Sequence, residues 1–129
     1  MLAPEHRLRR SRDFADVLKG GTRAGRKTLI VHVRRDAGTD RNSVDPVRAG
    51  LVVSKAVGNA VVRHRVSRRL RHLLIPYVDG PSALPLGSLL VVRASPAAAG
   101  AGSEVLAADL SSAVRSATRP SATRVGSRS

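Results

Sequence analysis

The chain has 129 residues, no cysteine and a formal net charge of +14, and its only aromatic residues are Phe14 and Tyr77. This length is typical of one domain, and the lack of cysteine excludes disulfides and thiolate metal sites. So high a positive charge indicates a polyanionic partner, and the apolar runs are far shorter than the ~20 residues that a membrane-spanning helix needs. With no apolar signal segment after the charged N-terminus, we expect a cytoplasmic protein that binds nucleic acid and has no membrane partner.

The first predicted element is a short helix over residues 11–19, which Gly20 ends. Its first residue, Ser11, is a favourable N-cap. Apolar residues then recur at helical spacing, at Phe14, Val17 and Leu18. From this stripe alone, Phe14 is either a core residue or a partly exposed contact for a ligand.

Three segments are predicted to be strands. Residues 28–34 and 47–54 are rich in β-branched side chains, and a polar loop over residues 36–46 separates them. Residues 88–93 form an apolar run typical of a buried strand. A further strand between residues 21 and 28 is compatible with the sequence, but no pattern identifies it.

The C-terminal part is predicted to hold a linker, a helix and a tail. Residues 94–102 are rich in Ala, Gly and Pro, and Ser103 is the expected cap of a last helix. Its apolar positions are Leu106, Leu110 and Val114. Residues 118–129 have too few apolar side chains to offset their ordering entropy, so we expect one domain over residues 1–117 and a disordered basic tail.

The most informative segment is residues 54–69, which holds six basic residues, counting His64, and no acid. It belongs to a helix predicted over residues 59–75, with Asn59 as the cap and Pro76 as the end. On a helical wheel, one face is apolar, with Val62, Val66, Leu70, Leu73 and Leu74. The opposite face is a cationic stripe of His64, Arg65, Arg68, Arg71 and His72, with Arg63 and Arg69 at its margins.

This stripe has two interpretations. Most charged helix faces are simply solvated, but such faces usually mix signs, whereas residues 51–78 contain no acid. Like charges at this spacing destabilise a helix, so an external polyanion is favoured. Arginine makes up 20 of the 23 basic residues, which suits phosphate and base contacts but equally suits the codon usage of a GC-rich genome.

Residues 48–71 closely resemble the signature of the bacterial ribonuclease P protein component, and read RAGLVVSKAVGNAVVRHRVSRRLR. Residues 7–17 and 91–96 are also similar to that family, so that the resemblance spans about residues 6–115. It implies an α+β fold like the second domain of ribosomal protein S5. In that fold, a four-stranded, mostly antiparallel sheet packs with about three helices and has one left-handed βαβ crossover, an exception to the right-handed rule.

The resemblance also implies a function. The family's protein is a subunit of a ribonucleoprotein endonuclease, whose RNA subunit, with Mg²⁺, removes the 5′ leader of precursor tRNA. The protein would bind the RNA subunit through its basic helix and the single-stranded leader in a cleft between the first helix and the sheet. The implied partners are therefore the RNA subunit and precursor tRNA, with no obligate protein partner, no protein-held metal and no catalytic residue in the protein.

The resemblance assigns residues to two sites. The implied RNA-binding residues are Lys55, Asn59, Arg63, His64, Arg65, Arg68, Arg69 and Arg71. The implied leader-binding residues are Phe14, Leu18, Lys27 and His32.

The chain departs from the family pattern at both sites. His64 stands in the middle of a motif that is usually Arg-Asn-Arg, and its charge would vary near neutral pH. Leu18 and His32 stand where the family has a second aromatic and a tyrosine. Because only Phe14 remains for stacking, we expect the leader to be held more by backbone contacts than by base stacking.

Three other functions remain open on the residues alone. A structural RNA-binding protein of ribosomal type, with no role in cleavage, would have similar charge and fold. A DNA-binding module would place residues 59–75 in the major groove, although no helix-turn-helix partner is visible. A metal nuclease would need paired carboxylates, and Asp36, Asp40 and Asp45 are more typical of turns.

Overall fold

The computed structural model describes residues 6–8, 17, 21–34, 47–81 and 83–118. The elements in chain order are β1 (Thr22–Gly25), β2 (Leu29–Arg34), β3 (Arg48–Val52), α1 (Ala60–Val78), β4 (Leu89–Ala94), a 3-10 helix (Pro96–Gly100) and α2 (Ser103–Ala117). The three predicted strands are confirmed, and so are the two helices that were predicted after residue 47. Their observed bounds lie within a few residues of the predicted ones. The segment between residues 21 and 28, for which no sequence pattern identified a strand, contains strand β1. Of the predicted helix over residues 11–19, only Val17 is described, and its backbone is helical.

The four strands form one sheet in the order β1-β2-β4-β3. Strand β2 pairs antiparallel with both β1 and β4, whereas β3 pairs parallel with β4. Because β3 and β4 are parallel neighbours, the chain between them must cross over the sheet, and α1 makes this connection. The expected α+β fold with a mostly antiparallel four-stranded sheet is thus confirmed. The expected tail and the domain boundary at residue 117 lie at or beyond the end of the described residues.

One face of the sheet, the helix face, forms the main core with α1 and α2. Side chains alternate along β2, and Leu29, Val31 and Val33 are buried on this face. The buried positions of α1 recur every fourth residue, at Val66, Leu70, Leu74 and Val78. Those of α2 are Leu106, Leu110, Ala113, Val114 and Ala117. The core is therefore aliphatic, as the composition predicts.

The opposite side, the open face, carries Arg23, Ile30, His32, Val91 and Arg93, which the strand register brings onto one side. Part of this face is covered by Leu8 and Val17, which form a second apolar cluster with Val91. Leu8 also donates its amide hydrogen to the carbonyl of Ala49, at 2.9 Å, along the outer edge of β3.

The hairpin of β1 and β2 is fastened to α2 by polar contacts. Thr28 donates from its amide (3.2 Å) and its hydroxyl (2.6 Å) to Oδ2 of Asp109. Arg26 donates from Nε to Oγ of Ser112 and from Nη2 to Oγ of Ser116, both at 2.8 Å. These contacts fix the position of α2 over the sheet more closely than apolar packing alone would.

Two details of the helices differ from the prediction. Pro76 does not end α1, which continues to Val78. Proline removes a single hydrogen bond near the end of the helix, while Val78 is buried and the Asp79 amide still donates to the Ile75 carbonyl at 3.1 Å.

Likewise, Ser103 is not the cap of α2. It is the first helical residue, and Gly102 is the N-cap without a side-chain hydrogen bond. The predicted linker over residues 94–102 contains the 3-10 helix, because Pro96 favours a helical start and Ala98 is fully buried.

Candidate nucleic-acid interface

The start of α1 is defined by Gly58 and Asn59. The side chain of Asn59 accepts a hydrogen bond from the Val62 amide at 3.0 Å, which satisfies one of the free donors of the first turn. Gly58 has a φ of +156°, and a Cβ at this position would lie 2.9 Å from Cγ1 of Val62. The Gly-Asn pair therefore sets where the basic helix begins, as predicted for Asn59.

The cationic stripe divides into two sets by exposure. The exposed members are His64, Arg68, Arg71 and His72, and the exposed residues Lys55 and Asn59 precede the helix. The half-buried members are Arg63, Arg65 and Arg69. The stripe therefore presents free cations to solvent along its middle and holds others close to the protein.

Arg65 and Arg69 are anchored to the segment around the 3-10 helix. Arg65 donates from Nη2 to the carbonyl of Ala99 at 3.2 Å, and Arg69 donates from Nη1 to the carbonyl of Ala101 at 2.9 Å. A helical wheel could not show this, because these carbonyls belong to a segment that reads as a linker. Both arginines thus help to hold the chain between β4 and α2 against α1.

A shallow depression of about 440 Å³ lies on the outer side of α1, lined by Ala60, Val61, His64, Arg65 and Arg68. Val61 is 72% exposed, the largest exposure among the large apolar side chains of the described residues. The lining of the depression therefore combines apolar and basic side chains, a combination that suits the ribose and phosphate of a nucleic-acid strand.

On the open face, His32 is only 6% exposed, and its Nε2 has no hydrogen-bond partner among the described residues. Burial above all, and then the charges of Arg93 and Arg23, lower the pKa of His32 below the usual 6.5. Both arginines are exposed. Sequence reasoning missed Arg23 and Arg93, because only the strand register shows that they share a face with His32.

The four predicted leader-binding residues are only partly described. His32 lies on the open face beside the cluster that includes Val17. Lys27 is exposed in the turn between β1 and β2. Phe14 and Leu18 lie outside the described residues, so whether all four meet remains a prediction.

The comparison with known proteins gives the family. The family model described as Ribonuclease P matches residues 2–118. The chain belongs to the ribonuclease P protein family. Ribonuclease P protein components from Streptomyces bikiniensis and Salinispora tropica are 55% and 47% identical to it. The alignments cover 89% and 93% of this chain, and 94% and 96% of those proteins.

Solved structures of ribonuclease P proteins share the fold. The Staphylococcus aureus protein superposes with a TM-score of 0.70 at 22% identity, over 88% of this chain and 95% of that one. The Thermotoga maritima protein gives a TM-score of 0.65 at 23% identity, over 82% and 92% of the two chains. At this identity, the likeness concerns the fold.

Membership of the ribonuclease P family makes the chain a protein subunit of a ribonucleoprotein endoribonuclease that acts in tRNA processing. None of the helices in the described ranges is long and apolar enough to cross a membrane. Nor do those ranges contain a group of three or more His, Asp or Glu that could hold a metal ion.

Proposed function

We propose that the chain binds the ribonuclease P RNA through α1 and the single-stranded 5′ leader of precursor tRNA through the open face of the sheet. In this way it assists the endonucleolytic removal of the leader. The observation that carries the proposal is the outer side of α1, where His64, Arg68 and Arg71 are exposed on a helix without any acid.

The fold supports the first contact. The helix α1 is anchored on its apolar side by Val66, Leu70 and Leu74, so its outer side is held rigidly. The backbone that carries these arginines is therefore in place before binding, and each phosphate that they neutralise releases counterions. Lys55 and Asn59, exposed at the start of the helix, extend the same surface.

The second contact rests on the open face. Arg23 and Arg93 are exposed there, and Leu8 and Val17, which pack with Val91, form its rim. An extended single strand that runs between this rim and the exposed arginines would contact cations along its backbone, with Lys27 further along at the β1–β2 turn. Phe14 and Leu18 would belong to the same cleft.

The proposal leaves the chemistry to the RNA subunit. Among the described residues, no group of three or more His, Asp or Glu side chains is placed to hold a metal ion. In the proposed division of labour, the Mg²⁺ ions are bound mainly by the RNA subunit. The protein positions the substrate and neutralises phosphates that would otherwise need more Mg²⁺ for screening.

The test is a reconstituted cleavage assay with the cognate RNA subunit at low Mg²⁺, with and without the protein. We expect the protein to raise the rate of leader removal and to favour leader-bearing precursor over mature tRNA. If the protein binds the RNA tightly but leaves the cleavage rate and the leader preference unchanged, it is a structural RNA-binding protein instead.

A further inference from the structure

His32 has an unusual environment for a buried polar residue. It is 6% exposed, and its Nε2 is buried with no hydrogen-bond partner among the described residues. Most buried polar atoms in proteins are paired, so an unpaired one calls for an explanation. Its neighbour across the β2–β4 pair is Val91, an apolar residue that cannot supply a partner through its side chain.

The described charged groups around His32 are all cationic. Arg23 lies directly opposite on β1, and Arg93 lies two residues beyond Val91 on β4. On the same face, Arg34 follows along β2 and Arg48 lies on β3. Of these, Arg23 and Arg93 are exposed, and their charges act on the imidazole. A donor between two guanidinium groups is an arrangement that suits an anion.

Resting on the leader-binding role proposed above, we propose that His32, Arg23 and Arg93 form a subsite for one backbone phosphate of the leader. The Nε2 of His32 is the hydrogen-bond donor in this subsite. A phosphate fits better than a base, because all three groups can donate hydrogen bonds and both arginines carry a positive charge. A phosphate diester has only acceptor oxygens and carries the charge that the two arginines attract.

The subsite couples leader binding to proton uptake. In the free protein, burial and then the charges of Arg93 and Arg23 lower the pKa of the imidazole, which favours its neutral form. A bound phosphate offsets those positive charges and accepts a hydrogen bond from Nε2, so it raises the pKa. Between the free and the bound pKa values, binding takes up a proton. Affinity for the leader therefore rises as pH falls through that interval and is flat above it.

The experiment uses the reconstituted holoenzyme and measures the ratio of its affinities for leader-bearing precursor and mature tRNA, between about pH 5 and 8. In the wild type, this ratio is expected to increase as pH falls. His32→Gln keeps an N–H donor that does not titrate, so it retains the preference but loses its pH dependence. His32→Phe keeps the size and removes the donor, and should lower the preference by about tenfold.

Two measurements on the wild-type protein do not depend on the folding of a variant. Replacing single leader phosphates by neutral methylphosphonates should abolish the pH dependence at one position only. Calorimetry of leader binding in buffers with different ionisation enthalpies should show proton uptake in the same pH interval in which the affinity ratio changes.

The outcomes separate this subsite from the leader-binding role itself. If the wild-type holoenzyme shows no preference for the leader, the role proposed for the open face fails. If the preference is present but its pH dependence is absent, survives in His32→Gln, or is insensitive to every methylphosphonate, the subsite is wrong and His32 is a core residue.

Discussion

Arg69 donates a hydrogen bond to the carbonyl oxygen of Ala101, 2.9 Å away, and so joins the basic helix to the segment that leads into α2. Together with Arg65, which donates to Ala99, it belongs at once to the cationic stripe and to the internal structure. Arg68 and Arg71 lie on the same helix and are exposed. The stripe therefore contains arginines whose removal should have different consequences.

The first prediction compares these two sets. Arg68→Ala with Arg71→Ala should weaken binding of the ribonuclease P RNA and reduce the slope of log affinity against log salt by about one unit per lost phosphate contact. The melting temperature should stay nearly unchanged. Arg65→Ala with Arg69→Ala should weaken RNA binding as well and also lower the melting temperature, because two hydrogen bonds to the backbone are lost.

The measurements are RNA affinity at several salt concentrations and thermal unfolding of the free protein. Equal RNA affinity in the wild type and the Arg68/Arg71 variant would show that the exposed stripe is only a solvated face.

The second prediction concerns Val61, which is 72% exposed in the depression on α1. Val61→Glu places a negative charge among His64, Arg65 and Arg68, so it should weaken RNA binding without destabilising the fold. Val105→Glu on α2 is the matched control, since Val105 is also an exposed helical valine, at 51%. Both variants change the net charge equally. A similar loss of affinity in the two would mean that overall charge, and not the surface of α1, determines binding.

Sequence patterns identified the core faces of α1 and α2, but they could not give the contacts across strands. The period of the apolar residues in α1 correctly placed Val66, Leu70 and Leu74 in the core. By contrast, β1 has only four residues and includes Arg23 and Gly25, so it carries no apolar alternation to read. Its existence depends on pairing with β2.

The same limit applies to the sites. The basic stripe could be predicted because its residues are local in sequence. The group of Arg23, His32 and Arg93 could not, because three strands bring it together through their register. The hydrogen bonds of Arg65 and Arg69 could not be predicted from the sequence either, because they depend on which backbone carbonyls face α1.

The third prediction concerns Asp109, which accepts hydrogen bonds from both the amide and the hydroxyl of Thr28. Thr28 is only 2% exposed, so Asp109→Ala would leave two buried donors without their partner. We expect a loss of about 2 kcal/mol in the free energy of unfolding, measured by denaturant titration.

Glu104→Gln is the control for this change, because it removes an exposed acid from the first turn of the same helix. It should cost about 0.5 kcal/mol or less. An equal effect of the two substitutions would show that the loss comes from the charge of α2 and not from the contact with the hairpin.

The fourth prediction concerns Gly21, which lies close to the backbone carbonyls of Val17 and Val33. A Cβ there would lie 2.5 Å from the carbonyl oxygen of Val17 and 2.8 Å from that of Val33, and both are backbone atoms that cannot move independently. Gly21→Ala should displace Val17 from its contact with Val91 on the open face. Leader preference should then fall while affinity for the RNA subunit is retained.

Gly100→Ala provides the comparison, because a Cβ at that position meets nothing within 4 Å. It should leave leader preference unchanged. Parallel measurements of leader-bearing and mature tRNA affinity check both variants. If Gly21→Ala binds the leader like the wild type, the N-terminal segment does not form part of the leader site.

The last prediction concerns the division of labour between protein and RNA. The protein alone should not hydrolyse precursor tRNA at any Mg²⁺ concentration, because in the proposed function the RNA subunit carries the catalysis. Added to the cognate RNA subunit, it should lower the Mg²⁺ concentration needed for half-maximal cleavage. The reason is that its net charge of +14 neutralises phosphates that divalent ions would otherwise screen.

The benefit of the protein should shrink at high Mg²⁺, where the ions alone screen the RNA. Titrations of cleavage rate against Mg²⁺ concentration, with and without protein, measure this change. Cleavage by purified protein without RNA, retained in preparations from a nuclease-deficient host, would contradict this assignment. A benefit that is constant at all Mg²⁺ concentrations would show instead that the protein acts by positioning the substrate and not by neutralising charge.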